Sequence, residues 1–314
     1  MRVLVTGGAG FIGSHVVDKL VAHGVEARIF DQVRSPFHKD ADHYIGSILD
    51  VDAMRHAMNN VNAAIHLAAV ADVKDVFEEP HYAETVNTHG TICVLEAARR
   101  AKLPRVIYGS TTWVYSNCNA DVVDEDTLLQ PPSHLYTATK IASEYYCQAY
   151  SKLYGLDYTI LRFGIPYGPR SRDGAVTPIF VKRALSGEPL TIAGDGLQYR
   201  KFVYVEDLAE GVVLSLKPVA KNRIYNLDGV EKVTIRQIAE TILRIVGNEK
   251  IEYVEGRAGD FSGKEVVSQR AKEELGWEPR VAFEEGVRRY IDWYRVRERA
   301  QEEAWERVDE LLKI

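Results

Sequence analysis

The chain of 314 residues lacks several features that would define its class at once. Its three cysteines, Cys93, Cys118 and Cys147, are odd in number, far apart and outside any C-x-x-C spacing, which argues against a disulfide framework and a zinc site. No apolar run approaches membrane-spanning length, and no basic run offers a stripe that neutralises phosphates. The formal net charge of −6 also argues against general nucleic-acid binding. We therefore expect neither a metal, nor nucleic acid, nor a membrane as a partner.

Composition and length place few other limits on the chain. Met1 leads directly into the first strand-like segment and leaves no room for a signal peptide, so we expect a cytoplasmic protein. A hydrophobic content of 46% with 27% charged residues is typical of a globular protein. The length predicts two domains, or one domain with a sizeable lobe.

Strand-like and helix-like segments alternate through the first half. The strand-like segments are 2–6, 26–30, 61–67, 104–109 and 157–163, and the helix-like ones lie near 11–22, 51–58, 81–101 and 134–154. This alternation predicts an α/β fold with a doubly wound parallel sheet. After Gly164 the pattern changes to short strands and turns rich in Gly and Pro, which predicts a smaller α/β lobe. We predict a first domain over 1–163, a substrate lobe over 164–295 that can interleave with it, and a C-terminal helix over 296–314.

The glycine motif near the start is the most informative stretch. The apolar run Val3-Leu4-Val5 leads into Gly8-x-Gly10-x-x-Gly13, the dinucleotide-binding fingerprint of a strand, a glycine turn and a helix. In that arrangement a pyrophosphate lies at the helix N-terminus, where unpaired N–H groups and the helix dipole favour negative charge. Glycines also mark ordinary tight turns, so the motif needs support from residues nearby in the sequence.

Asp31 supplies that support. It directly follows the second strand-like segment, about 20 residues after the glycines, where a carboxylate holds the ribose hydroxyls of a dinucleotide. The same carboxylate would repel a 2′-phosphate, so the sequence favours NAD over NADP. Arg34 lies close by and keeps NADP open as an alternative.

Tyr136 and Lys140 form a candidate acid/base pair. They lie four residues apart at the start of a predicted helix, so both side chains project from one face. A phenol with an ordinary pKa of about 10 is a poor base at neutral pH, but an adjacent ammonium and a positively charged nicotinamide would both favour phenolate. Thr111, in the hydroxyl cluster that follows the strand-like segment 104–109, could orient a substrate hydroxyl or relay its proton. A surface Tyr–Lys contact is the alternative.

With these residues in place, the chain resembles an extended short-chain dehydrogenase/reductase of the NAD-dependent sugar-nucleotide epimerase/dehydratase family. The resemblance runs from residue 1 to about residue 295. The matching motifs are Thr6-Gly7-Gly8-Ala9-Gly10-Phe11-Ile12-Gly13, His66-Leu67-Ala68-Ala69, Asn87 with Gly90-Thr91, Ser110-Thr111, Tyr136-x-x-x-Lys140, Tyr167-Gly168-Pro169-Arg170, Gly194-Asp195-Gly196, Arg200-x-Phe202-Val203-Tyr204-Val205-x-Asp207 and Arg257-x-Gly259-Asp260.

The resemblance implies a Rossmann fold, NAD as cofactor and a nucleoside-diphosphate sugar, such as a UDP-sugar, as substrate. The implied catalytic residues are Thr111, Tyr136 and Lys140, with Tyr136 as the acid/base and Lys140 binding the nicotinamide ribose and lowering the tyrosine pKa. The implied cofactor-binding residues are Gly7, Gly10, Phe11, Ile12, Gly13, Asp31, Ser47, Ile48, Leu67, Ala68, Ala69, Asn87, Tyr136 and Lys140. The implied substrate-binding residues are Thr111, Tyr136, Arg200, Arg257 and Asp260, in which guanidinium forks suit diphosphate oxygens.

Three departures from the family pattern bear on function. Ser47 stands where an Asp usually contacts adenine. Thr112-Trp113 stands where enzymes that eliminate water from a hexose usually carry an Asp-Glu pair, so a 4,6-dehydratase is not expected. Ile165 replaces a common Asn that holds the sugar diphosphate, so either other groups hold it or the substrate differs.

The implied catalytic residues Thr111, Tyr136 and Lys140, without an additional acid pair, predict C4 epimerisation of a nucleoside-diphosphate sugar. We expect a substrate of the UDP-glucose/UDP-galactose type and a 4-keto intermediate. A UDP-glucuronate epimerase or decarboxylase, with Arg170 or Arg172 on the carboxylate, a keto-sugar reductase and a non-catalytic nucleotide sensor stay open. The resemblance also implies a homodimer through the helices near 81–101 and 134–154, with Tyr146, Tyr150 and Tyr154 at the contact or packed within the chain.

Overall fold

The computed structural model describes residues 1–247, 250–255 and 263–312. Its strands, numbered in chain order, are β1 (Arg2–Thr6), β2 (Glu26–Asp31), β3 (Asp42–Ile45), β4 (Ala63–His66), β5 (Arg105–Thr111), β6 (Val122–Val123), β7 (Asp157–Phe163), β8 (Ile165–Tyr167), β9 (Leu190–Ala193), β10 (Tyr199–Tyr204), β11 (Arg223–Leu227), β12 (Lys232–Thr234), β13 (Ile251–Val254) and β14 (Glu265–Val266). The five predicted strands of the first half are confirmed, whereas the short β3 had no strong sequence signal.

The helices alternate with these strands. They are α1 (Phe11–Ala22), α2 (Val51–Ala57), α3 (Val73–Glu78), α4 (Pro80–Glu84), α5 (Gly90–Arg100), α6 (Leu135–Tyr154), α7 (Val176–Leu185), α8 (Val205–Leu214), α9 (Ile235–Val246) and α10 (Phe283–Leu312). A π-helical turn over Thr85–His89 joins α4 to α5, so the helix predicted near 81–101 is almost continuous. Gly155 ends α6 in the left-handed conformation, with φ +70°.

Seven strands form one parallel sheet in the order β11-β7-β5-β4-β1-β2-β3. This confirms the doubly wound α/β fold class. The chain reverses its direction across the sheet between β1 and β4, where Thr6 lies beside His66. Loops that leave neighbouring strands in opposite directions open a crevice at such a point, and ligands bind there in open α/β sheets.

Both faces of the sheet are covered, because its strands are apolar on both sides. Val3, Leu4 and Val5 of β1 are fully buried. Val3 and Val5 pack with the apolar sides of α1 and α8, while Leu4 packs with those of α2 and α5. The sheet therefore holds the carboxyl ends of β1, β4 and β5 in fixed positions.

The second half of the chain forms smaller sheets around a core of its own. The order β12-β10-β8 makes a three-stranded sheet, β13 pairs with β9, and β14 pairs with β6. Their core includes Phe202, Ile238 and Tyr290 from β10, α9 and α10. The strand β11 belongs to the large sheet although it follows residue 163. The domain limits at 163 and 295 stay a prediction.

The last helix begins earlier than predicted. It starts at Phe283 rather than at residue 296, because Val287 and Ile291 are buried in the core of the smaller lobe. In the part of the chain that the structure describes, no helix is long and apolar enough to cross a membrane. Within the same ranges, no cluster of three or more His, Cys, Asp or Glu could hold a metal ion.

Candidate functional site

A cavity of about 690 Å³ opens at the carboxyl ends of β1, β4 and β5, at the point where the strand order reverses. The glycine turn, the end of β2 and the segment after β4 form one end of it. The end of β5, the start of α6 and the segment after β7 form the other. We call these two parts the cofactor end and the catalytic end. The volume lies in the range of small-molecule sites.

The glycine turn shapes the cofactor end with main chain. Gly7 has φ +70°, which side chains with a Cβ rarely adopt. A Cβ at Gly13 would lie 2.1 Å from the Gly7 carbonyl oxygen, so the close approach of α1 to the turn requires glycine there. Gly10, Phe11 and Ile12 border the cavity at the N-terminus of α1. This end therefore presents main-chain N–H groups and the positive end of a helix dipole, which fit a pyrophosphate.

Asp31 lies at the far side of the same turn. Its carboxylate accepts hydrogen bonds from the main-chain N–H groups of Ala9, at 3.0 Å, and Gln32, at 2.8 Å. It lines the cavity at the end of β2, where a ribose would lie. Ile48, Leu67, Ala68 and Ala69 line the walls, in agreement with the roles that the resemblance implies. The residues present at this end fit a dinucleotide.

Two residues expected in this groove do not line it in the described part of the chain. Ser47 accepts a hydrogen bond from the Leu49 N–H, at 3.2 Å, and so stabilises its own turn. Asn87 is buried and pairs with both main-chain groups of Val70, at 2.7 and 2.9 Å. The side-chain amide of Asn87 therefore holds the main chain of Val70 in place, and Val70 in turn lines the cavity.

Thr111, Tyr136 and Lys140 come together at the catalytic end. Thr111 and Tyr136 line the cavity. Lys140 lies behind them, buried, with its Nζ donating to the Gly109 carbonyl at 2.9 Å and lying 5.9 Å from the centre of the Tyr136 ring. The helical spacing predicted for this pair is confirmed, since α6 starts at Leu135. Lys140 therefore lies behind the cavity wall, next to Tyr136, and is not among the described residues that line the cavity.

The charges around Tyr136 differ from the expectation. Burial raises the pKa of Tyr136 to about 12, and the charge that lowers it is that of Arg172 rather than that of Lys140. Burial lowers the pKa of Lys140 itself to about 8. The reason is that both groups are withdrawn from water, which disfavours the charged form of each. Tyr136 is therefore a neutral phenol in this structure at neutral pH.

Arg172 is a site residue that the motif analysis did not single out from Arg170. Arg172 lines the cavity and pairs with Asp72, another lining residue, at 3.2 Å. Arg170 instead points away, since it pairs with Asp18 at 2.7 Å and its guanidinium lies over the Phe37 ring. The only signal in the sequence was the presence of two arginines two residues apart.

The expected substrate residues are less fully placed. Arg200, on β10, donates to the Tyr199 carbonyl at 2.7 Å and is not among the described residues that line the cavity. Arg257 and Asp260 lie outside the described residues. Ile165 and Trp113, the two departures near the sugar position, both line the cavity. The catalytic end is therefore more apolar at these positions than the family pattern predicts.

Comparisons with known proteins agree with this geometry. The family model described as "NAD dependent epimerase/dehydratase family" matches residues 3–228. The putative UDP-glucose 4-epimerase of Methanocaldococcus jannaschii is 33% identical over 302 residues, 93% of this chain and 97% of that protein. The UDP-N-acetyl-alpha-D-glucosaminuronate decarboxylase of Bacillus cytotoxicus is 33% identical over 315 residues, 94% of this chain and 98% of that protein.

Among solved structures, the UDP-glucose 4-epimerase of Thermotoga maritima with UDP-glucose is similar over almost the whole chain. Its TM-score is 0.88 at 32% identity, with 94% of this chain and 99% of that chain covered.

Proposed function

Because the chain belongs to the NAD-dependent epimerase/dehydratase family, we propose that it inverts C4 of a nucleoside-diphosphate sugar, of the UDP-glucose/UDP-galactose type, through a 4-keto intermediate. NAD is its cofactor. In the proposed reaction NAD stays tightly bound and returns to its oxidised form in each turnover. The protein is an enzyme of this family, and the reaction within the family is what we propose.

The observation that carries the proposal is the makeup of the catalytic end. Thr111 and Tyr136 face the cavity, with Lys140 directly behind them. Thr112 and Trp113, the next two residues of the chain after Thr111, offer no carboxylate to protonate a leaving hydroxyl or to remove a C5 proton near neutral pH. The set therefore suits reversible oxidation of one secondary alcohol, without elimination of water.

Each residue of the catalytic end has a separate part in the reaction. Bound NAD⁺ supplies a hydride acceptor and a positive charge beside the phenol. Together with the charge of Arg172, that charge favours ionised Tyr136, which takes the proton of the C4 hydroxyl. Thr111 holds the C4 oxygen by a hydrogen bond, and the surrounding apolar walls exclude water. After the 4-keto sugar has turned over in the cavity, Tyr136 returns the proton to the C4 oxygen. The inversion itself would come from return of the hydride, which bound NAD would have accepted from C4, to the opposite face of C4.

A second candidate is a uronate substrate, with epimerisation or decarboxylation after the same oxidation. The observation that favours it is Arg172, a guanidinium inside the cavity near Tyr136. A guanidinium fork binds a carboxylate with two parallel hydrogen bonds. Among the relatives, the Bacillus cytotoxicus protein is named as a decarboxylase of such a sugar.

Incubation with three substrates tests both proposals. The purified protein and NAD⁺ are mixed separately with UDP-glucose, UDP-N-acetylglucosamine and UDP-glucuronate, and the products are separated by chromatography coupled to mass spectrometry. A new peak of unchanged mass supports epimerisation and identifies the sugar. Loss of carbon dioxide from UDP-glucuronate favours decarboxylation, and loss of water contradicts the proposal. Stoichiometric consumption of NADH with a keto-sugar would indicate a reductase. No reaction with any of the three UDP-sugars would make Ile165 and Trp113 signs of an unusual substrate and would favour the reductase.

We also propose a homodimer through α5 and α6. Tyr146 and Tyr154 are 37% and 54% exposed on α6, and Tyr154 lies 5.1 Å beneath the Arg99 guanidinium of α5. Aromatic residues and arginine are enriched in interfaces. Sedimentation equilibrium should give twice the chain mass, and Tyr146→Glu should shift the protein to the monomer. A wild-type monomer at micromolar concentration would contradict this.

A further inference from the structure

Glu144 is a buried carboxylate for which the proposed mechanism has no use. It lies on α6 one turn beyond Lys140 and is 2% exposed. Its Oε1 accepts from the Ser110 hydroxyl at 2.6 Å and from Arg162 Nε at 3.0 Å, and its Oε2 accepts from Arg162 at 2.7 Å. Every carboxylate oxygen is thus paired, as the burial of a charge requires.

Two side chains of α6 form hydrogen bonds with two consecutive residues of β5, Gly109 and Ser110, and we call this pair of contacts the grip on β5. Lys140 donates to the Gly109 carbonyl, and Glu144 accepts from the hydroxyl of the next residue, Ser110. The residue after that is Thr111. Because the helix is rigid and the two contacts lie one turn apart, β5 cannot slide along α6 without breaking both. The end of the strand is therefore fixed where Thr111 enters the cavity.

The other side of Thr111 is held by the same group of side chains. Arg162, on β7, donates to the Tyr115 hydroxyl at 2.6 Å, and Tyr115 donates to Asn226 at 2.8 Å. Tyr115 ends the helical turn that begins directly after Thr111. Arg162 therefore joins the carboxylate of Glu144 to the turn, and the reacting position is held from before and after.

We propose that Glu144 is a positioning residue, which through Ser110 fixes the end of β5 so that Thr111 stays beside Tyr136. This inference rests on the proposed function, in that Thr111 and Tyr136 act on the substrate hydroxyl. An ion pair buried only for stability contributes little compared with apolar residues of the same volume. The extended set of contacts instead defines one geometry at the reacting end.

The charge of Glu144 has a second effect, on Lys140. Burial lowers the pKa of Lys140, and the Glu144 carboxylate opposes that lowering. The other titratable groups that face Lys140 are Cys147 of α6, Tyr136 of α6, Tyr108 of β5 and His66 of β4. Removal of the carboxylate should therefore make Lys140 lose its proton at a lower pH.

Ser110→Ala is the decisive variant, because it removes the link to β5 and keeps the ion pair of Glu144 with Arg162. We expect kcat to fall about tenfold or more, since small displacements of reacting groups cost large factors in rate. The melting temperature should stay close to that of the wild type. A kcat within twofold of the wild type would overturn the proposal.

Glu144→Gln tests the charge, with Glu274→Gln as a matched control. Glu274 also accepts from a hydroxyl, that of Tyr225, and pairs with an arginine, Arg223, but away from the cavity. For Glu144→Gln kcat should fall as it does for Ser110→Ala, and the loss of kcat that follows deprotonation of Lys140 should move to lower pH. The control should leave kcat and its pH profile unchanged. A Glu144→Gln protein that is only less stable, with an unchanged pH profile, would contradict the positioning role.

A readout that needs no substrate separates this proposal from the proposed function. Hydrogen–deuterium exchange over residues 105–116 should accelerate in Ser110→Ala and stay unchanged in Glu274→Gln. If no sugar nucleotide reacts with the wild type, the proposed function fails while the exchange result still tests the grip on β5. Equal exchange rates in the wild type, Ser110→Ala and Glu274→Gln would contradict the proposed grip on β5. This test does not need Glu144→Gln, so it holds even if that variant does not fold.

Discussion

The two ends of the cavity differ in which parts of the chain form them. The cofactor end is formed largely by the main chain of the glycine turn and by Asp31, with Ile48 and the segment after β4 as its walls. The catalytic end depends on side chains that reach it from β5, α6, β7 and β11, as in the contacts of Glu144 with Ser110 and Arg162. Binding at the first end is therefore set by local stereochemistry, and chemistry at the second by long-range packing. Changes at the two ends should have separable effects.

The largest separable effect is expected for Tyr136→Phe. Loss of the hydroxyl removes the acid/base, so kcat should fall by about 1,000-fold. Because the cofactor end is untouched, the affinity for NAD⁺, measured by fluorescence titration, should stay within a few-fold of the wild type. Tyr145→Phe, which changes an exposed tyrosine of the same helix, is the control. Full activity of Tyr136→Phe would refute the assignment.

The converse effect is expected for Gly13→Ala. Its methyl group would lie 2.1 Å from the Gly7 carbonyl oxygen, so the turn and α1 must separate, and the affinity for NAD⁺ should fall about 100-fold. Gly24→Ala is the control, because Gly24 has a positive φ but open space around it. The control should cost about 1 kcal/mol of stability and leave NAD⁺ binding intact. Equal losses of NAD⁺ affinity in both variants would contradict the role of the close approach at Gly13.

A buried carboxyl group beside the catalytic end should also make stability depend on pH. Asp228 is buried beside Gly164, and burial raises its pKa to about 7. A raised pKa in the folded state stabilises the fold below the unfolded value, about 4, and that stability is lost as the pH rises to 7. Asp228→Asn should therefore gain roughly 2 kcal/mol relative to the wild type between pH 5 and pH 8 in urea unfolding. A difference that does not vary with pH would contradict this.

The smallest effect is expected for the pair Arg172→Gln and Arg170→Gln. Arg172 lies in the cavity and lowers the pKa of Tyr136, so its loss should raise that pKa and move the rise of kcat/KM to higher pH. If the substrate is a uronate, its KM should increase about tenfold, as for the loss of one charge-assisted contact. Arg170→Gln should change neither, since Arg170 pairs with Asp18. Similar profiles for both variants would place the carboxylate site elsewhere.

The difference between the cofactor end and the catalytic end also explains which features could be predicted from the sequence. The strand, glycine turn, helix and Asp31 obey short-range patterns, so β1, α1, β2 and their cavity could be derived from the sequence alone. The pair Tyr136 and Lys140 was also found, because helical spacing is local. Three further points required three-dimensional information. Ser47 and Asn87 support the groove from outside it, and the tyrosine pKa is governed by burial.

The grip on β5 was out of reach because its members are remote in sequence. Glu144 and Arg162 are 18 residues apart on different elements, and Asn226 is more distant still. One signal was present nonetheless. Arg162 is a charged residue between the apolar Leu161 and Phe163, and Glu144 comes after Lys140 at helical spacing. A buried charge needs a partner, so Arg162 indicated a carboxylate nearby, but the requirement does not by itself identify Glu144.

The membership of β11 in the large sheet has a consequence for the order in which the chain can fold. Strand β7 pairs with β5 on one side and with β11 on the other. Until residues 223–227 have been synthesised, β7 is an edge strand with one row of open hydrogen-bonding groups, and such edges invite pairing with other chains. A nascent chain that ends before residue 223 is therefore prone to aggregation. Escape from that state requires a contact between segments about 60 residues apart, which slows folding.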